Sequence, residues 1–359
     1  MARIVCPRAS RPTRDSSDSV DTSFRVAHPP RTNPQPGATS TSRSGGFLDL
    51  DVAAVAEAYE RRLRETCPEL LPLATQLLER LPPTRWSLEW YLPWWLGQAF
   101  ALEPTLTREI VVSNVLGLGS IRLRDDLADG EIDEERVADA RALAGAMYDL
   151  ALEPYRGWFD PASPFWRHLE TRMDTWRAAS EGTPGESGGT SATGPGPDLA
   201  ARGAPLHVAA VAVCLLAGRM DVYPALEACL DRALEALVLY DHAADWEADL
   251  DAGRWNAFVA ASSPGPQVPE ARDRHRAATY VAMLTGDAVA GYFGQIDEAL
   301  LRAAAIADTL QPAVPRLADH LRRFAMDVLD QGAAIHERYR DLGDQAAKLL
   351  LHGPRDARS

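Results

Sequence analysis

Asp241-His242-Ala243-Ala244-Asp245-Trp246-Glu247-Ala248-Asp249 closes a segment, 222–250, in which apolar residues recur every three or four positions. That recurrence predicts a helix. Side chains at i and i+4 share a helix face, so Asp241, Asp245 and Asp249 form a stripe along it. A second acidic stretch lies upstream: Asp125-Asp126-Leu127-Ala128-Asp129, preceded by Arg122-Leu123-Arg124 and followed by Gly130-Glu131. It also ends a helical run, 105–129, and Asp125 and Asp129 share one face. Like charges at this spacing repel by a few tenths of a kcal/mol per pair. A chain that stacks them usually has a cation to hold. Two facing stripes can hold several hard cations, and those cations can hold a diphosphate.

Outward from these stretches the same periodicity covers 49–65, 133–152, 205–219, 274–305 and 314–340, and no alternating β pattern persists. The expected fold class is all-α: one domain of ten or more helices, spanning 47–352. Pro82-Pro83, Pro104, Pro154, Pro161 and Pro164 are expected to punctuate its helices. Residues 1–46, rich in Ser, Thr, Pro and Arg, read as a disordered tail, and 353–359 as a short C-terminal tail. Residues 180–203 hold Gly-Thr-Pro-Gly-Glu-Ser-Gly-Gly-Thr-Ser and Gly-Pro-Gly-Pro, and read as a flexible internal loop.

Composition narrows the partners. A net charge of −14 disfavours nucleic acid, which needs a basic surface. Basic charge is arginine throughout, apart from the single lysine, Lys348; the guanidinium fork suits phosphate oxygens, although genomic composition produces the same bias. No apolar run is long enough to span a membrane, and the first residues lack the apolar core of a signal peptide. Cys6, Cys67, Cys214 and Cys229 show no metal-ligand spacing, which fits a reducing cytoplasm.

Asp125, Asp126 and Asp129 form Asp-Asp-x-x-Asp, and Asp241, Asp245 and Asp249 form Asp-x-x-x-Asp-x-x-x-Asp followed by Gly253-Arg254. In this order, at this separation and in an all-helical background, the chain resembles the class I isoprenoid synthase superfamily, the trans-prenyl diphosphate synthases and terpene synthases. The resemblance covers most of 47–350. It implies a helical bundle around a central apolar cavity, with all six aspartates as Mg²⁺ ligands and catalytic residues, and three Mg²⁺ ions bridging them to a prenyl diphosphate. It also implies diphosphate contacts from Arg254, from Asn256 and from the pair Arg338-Tyr339, and it leaves a homodimer open.

The departures from the family sharpen the expectation. His242 stands where many prenyl synthases carry a second aspartate. The Gly-Lys-Arg element that holds isopentenyl diphosphate has no counterpart, because the chain has one lysine and it lies at 348. Gly130-Glu131-Ile132-Asp133-Glu134-Glu135-Arg136 is acidic where an arginine pair is usual. What is lost is the second substrate's site. The expected activity is therefore that of a terpene synthase ionising and cyclising one allylic diphosphate of C15–C25, most simply farnesyl or geranylgeranyl diphosphate. A prenyl diphosphate synthase or other prenyltransferase is the alternative, and a non-catalytic helical scaffold the second. Trp86, Trp90, Trp94 and Phe100 are candidate cavity aromatics, since ring faces stabilise cations, with core packing as the competing role.

Overall fold

The computed structural model describes residues 50–84, 86–181, 199–263, 265 and 267–351. Among them the chain forms twelve α-helices and no strand. In order they are α1 (Val52–Thr66), α2 (Leu71–Arg80), α3 (Ser87–Ala99), α4 (Pro104–Ala128), α5 (Val137–Trp158), α6 (Pro164–Glu181), α7 (Leu206–Leu216), α8 (Tyr223–Asp251), α9 (Ala257–Ser262), α10 (Arg272–Thr285), α11 (Asp287–Thr309) and α12 (Pro315–Leu351). A short 3-10 helix, Leu199–Gly203, precedes α7. The all-α expectation holds. The expected tails, and residues 182–198 of the expected loop, lie outside the described residues.

Local chemistry sets the boundaries. Pro104, Pro164 and Pro315 each open a helix, where the missing N–H has no intrahelical acceptor to lose. Pro93 and Pro154 do not punctuate; they lie inside α3 and α5. The periodic run 274–305 is two helices, because Gly286 turns left-handed with φ 85° between α10 and α11.

Two apolar clusters form the core. Tyr59 and Leu63 of α1, Leu77 of α2, Leu116 of α4 and Met147 of α5 belong to the first. Helices α6 to α12 build most of the second. Helix α3 serves both: Leu88, Leu92 and Leu96 enter the second cluster, Trp90 and Trp94 the first. Each such side chain contributes about 1.5–3 kcal/mol when fully buried. None of the described helices is long and apolar enough to cross a membrane.

Two glycines permit close helix approaches. At Gly332 of α12 a methyl group would lie 1.4 Å from the Tyr240 hydroxyl oxygen of α8. That hydroxyl is buried with no hydrogen-bond partner among the described residues. At Gly203 a methyl group would lie 2.6 Å from Cδ2 of Leu234, so the 199–203 turn packs directly on α8.

Candidate active site

The first acidic stretch is the C-terminal end of α4, and its three aspartates do not act together. Successive helix residues are turned by about 100°, so Asp126 faces away from Asp125 but stays within about 60° of Asp129, its i+3 neighbour. Asp126 is 1% exposed, with Oδ1 2.9 Å from Nε of Arg122 and Oδ2 3.0 Å from a terminal nitrogen of Arg80 on α2. Neither contact has hydrogen-bond alignment, so the pairing is chiefly Coulombic. Asp126, expected as a metal ligand, thus lies buried against two arginines that offset its charge. Asp125 is half-buried. Burial pushes its carboxyl up to about 6, and the charges of Asp129 and Asp126 add to this against Arg122 and Arg202.

The second stretch is the C-terminal end of α8. Asp245 and Asp249 are half-buried and Asp241 is exposed. A helix C-terminus favours cations, yet neither α4 nor α8 has a basic residue in its last turn. The cation comes from the following turn. Gly253, with φ 71°, reverses the chain, and the Arg254 N–H donates to the Asp249 carbonyl at 2.8 Å. Arg254 Nε then donates to Oδ1 of Asp249 at 2.9 Å, and a terminal nitrogen lies 2.9 Å from Oδ2 of Asp129. One guanidinium therefore joins the ends of α4 and α8, and with them the two acidic stretches.

Asn256 is fully buried, and its bonds run into the fold. Its Nδ2 donates to Oδ2 of Asp249 at 2.7 Å and to the His242 carbonyl at 2.9 Å. Its Oδ1 accepts from Phe258 and Val259 N–H, capping α9. Gln267 clasps its backbone, accepting from its N–H at 3.0 Å and donating to its carbonyl at 2.8 Å. Asn256, expected as a diphosphate contact, thus orients Asp249. His242 is also buried. Its Nδ1 accepts from the Ala257 N–H at 3.2 Å, which puts the proton of the neutral ring on Nε2. Burial first, and then Arg202, hold it down to about 4.

Arg202 is the residue the sequence underrates. It is exposed, its terminal nitrogen lies 3.5 Å from Nε2 of His242, and its charge acts on Asp125. It forms no ion pair with a described carboxylate. The close packing at Gly203 sets it against α8, near enough to α4 for its charge to reach Asp125; the sequence signal is an arginine beside glycine where a long loop returns to a helix. Glu247 and Asp251 belong elsewhere, bound to Tyr280 and Arg276 of α10.

Arg338 and Tyr339 fall on α12, but their side chains lie outside the described residues. Trp90 and Trp94 are core residues, and Trp90 Nε1 donates to the Leu81 carbonyl at 3.0 Å. Trp86 donates to the Arg80 carbonyl at 3.3 Å, and Phe100 lies under Arg219 at 5.3 Å. These contacts direct the expected cavity aromatics to packing. A different ladder, Tyr91 on Trp95 on His320, joins α3 to α12 at centroid spacings of 6.0 and 5.0 Å.

The acidic face of α8 is longer than the stripe. Eighteen residues make five turns, so Tyr223, Glu227 and Asp231 share the face of Asp241, Asp245 and Asp249. In this first half Arg172 of α6 pairs with Glu227 and donates to the Tyr223 hydroxyl at 3.3 Å, while Nε2 of His207 lies 3.0 Å from Asp231.

Among the described residues no group of three or more His, Cys, Asp or Glu side chains is arranged to hold a metal ion. Mg²⁺ does not require one, since it is commonly held by one or two carboxylates, water and a substrate's phosphates. The donors at the two helix ends are carboxylate oxygens, the type such a hard cation takes. No protein-family model, curated protein or solved structure matches the chain.

Proposed function

We propose that the chain is a class I terpene synthase that ionises one allylic prenyl diphosphate with Mg²⁺ and cyclises the resulting carbocation. The observation that carries this reading is the Arg254 bridge between Asp129 and Asp249. It brings together the ends of two helices that each place acidic charge where a helix favours the opposite. Such an arrangement costs stability unless positive charge is supplied to it.

Asp125 and Asp129 on one side, and Asp241, Asp245 and Asp249 on the other, are the residues that would hold Mg²⁺. When bound, the metal supplies the charge that lets a diphosphate leave. The remaining work falls to the chain. Arg202, set against α8 beside His242 and close enough for its charge to reach Asp125, donates to the diphosphate and favours its departure. Asn256 holds Asp249 in one orientation through its Oδ2. Asp126, neutralised by Arg80 and Arg122, anchors the end of α4 to α2.

The test is incubation of the protein with Mg²⁺ and allylic diphosphates from C10 to C25, alone and with isopentenyl diphosphate, followed by gas chromatography and mass spectrometry of organic extracts. A cyclic hydrocarbon or alcohol from one diphosphate alone is expected. A longer diphosphate, formed only with isopentenyl diphosphate, would replace this reading with chain elongation. No turnover, with correctly folded protein, would favour the scaffold.

A further inference from the structure

The guanidinium of Arg254 lies between the carboxylates that the proposed reaction assigns to a metal. We propose that Arg254 is a built-in counter-cation that closes the two acidic helix ends on each other, and that it must pass from carboxylate to diphosphate for the site to load. This inference rests on the proposed function.

The geometry leaves the arginine little freedom. Its backbone is fixed by the Gly253 turn and by the 2.8 Å bond to the Asp249 carbonyl. Its Nε and one terminal nitrogen are committed to Asp249 and Asp129, each at 2.9 Å, and Glu131 lies 3.8 Å away. Asn256 donates to the other oxygen of Asp249 at 2.7 Å, so each oxygen of that carboxylate already accepts one bond. The side chain of Arg254 is 31% exposed, and its second terminal nitrogen contacts no described residue. That edge faces an arriving anion with donors to offer.

Loading by a divalent cation alone would displace the guanidinium and leave two positive charges side by side. Diphosphate alone would approach a cation already neutralised by two carboxylates. Arriving together, the metal satisfies the carboxylates while the guanidinium turns to the diphosphate. The chain is thus built to take both or neither, which protects it from idle occupancy by free metal.

Calorimetric titration of the full chain with Mg²⁺, with inorganic diphosphate and with both tests this without turnover. In the natural protein each ligand alone should bind weakly and the two together strongly. Arg254→Gln should bind Mg²⁺ alone about tenfold more tightly, as two charge-assisted bonds no longer compete, and lose about tenfold of the mutual enhancement. Arg254→Lys, a point charge without the fork, should fall between, and it answers the question if the glutamine variant does not fold. Mutual enhancement in the natural protein, with Mg²⁺ binding alone unchanged or weaker in the variant that folds, would overturn the counter-cation while the proposed function stands. No response of the natural protein to the two ligands together would overturn both.

Discussion

The two halves of α8 carry acids on the same face at the same spacing, and the fold treats them differently. In the first half Arg172 reaches in from α6 to pair with Glu227, and His207 of α7 sets a ring nitrogen against Asp231. In the second half no described helix supplies a cation to Asp245 within ion-pair distance, and Asp249 is met by Arg254 from the adjoining turn. Equal spacing therefore says little by itself. What separates a structural row of carboxylates from a candidate ligand row is whether neighbouring helices have already balanced the charge.

The comparison is broken most directly by Asp245→Asn. Turnover of the allylic diphosphate should fall at least about a hundredfold, while the thermal midpoint holds or rises, because a like-charge repulsion disappears. A large loss of stability would place Asp245 with the structural half. Arg172→Met should do the reverse. It strands Glu227 and the Tyr223 hydroxyl and should cost about 2 kcal/mol in urea unfolding, less than a fully buried pair because both partners reach solvent. Turnover per folded molecule should stay within about twofold.

Titration should separate the halves by sign. Burial holds His207 below its ordinary value, against the pull of Asp231. The unfolded chain then binds more protons as pH falls through 6.5, and the protein loses stability on acidification. Asp125 is raised to about 6, so its folded form binds more protons between 3.8 and 6, and stability is lost as pH rises through that window. Relative to the natural protein, His207→Gln should gain stability from pH 7 to 5, and Asp125→Asn from pH 4 to 7. Guanidinium-induced unfolding across pH measures both. The smallest effect is expected of Glu235→Gln, which removes an i,i+3 pair with Arg232 and should shift stability by under about 0.5 kcal/mol.

The sequence shows α4 and α8 clearly, because their apolar periodicity is long and each ends on an acidic run. Helix spacing turns Asp125 and Asp126 apart within the first run, but which aspartate turns inward depends on Arg80, 46 residues away on α2. The buried bonds of Asn256 are hidden from the sequence for the same reason. Its polarity and its place after Arg254 are visible in the chain, whereas the clasp by Gln267 and the bond to Asp249 exist only once the turn has closed. The break at Gly286 illustrates a different limit, since apolar spacing runs through it and only the left-handed φ ends α10. The tryptophans of α3 are ambiguous in sequence because that helix is apolar on both faces; contact with α1 and α2 decides that Trp90 and Trp94 are core.

The notch at Gly332 has a mechanical consequence. Only a residue without a side chain passes the Tyr240 hydroxyl, so the contact works as a key in a slot and sets the rotational phase of α12. Inserting one residue between Pro315 and Gly332 would bring Gln331 to the slot, and deleting one would bring Ala333; either presents a Cβ to the tyrosine. The piece of α12 ahead of the notch is therefore fixed in length to the residue. Every position beyond it, those of Arg338 and Tyr339 included, would be swung about 100° around the helix axis by such a change, which makes a tyrosine on α8 the gauge for the far end of the chain.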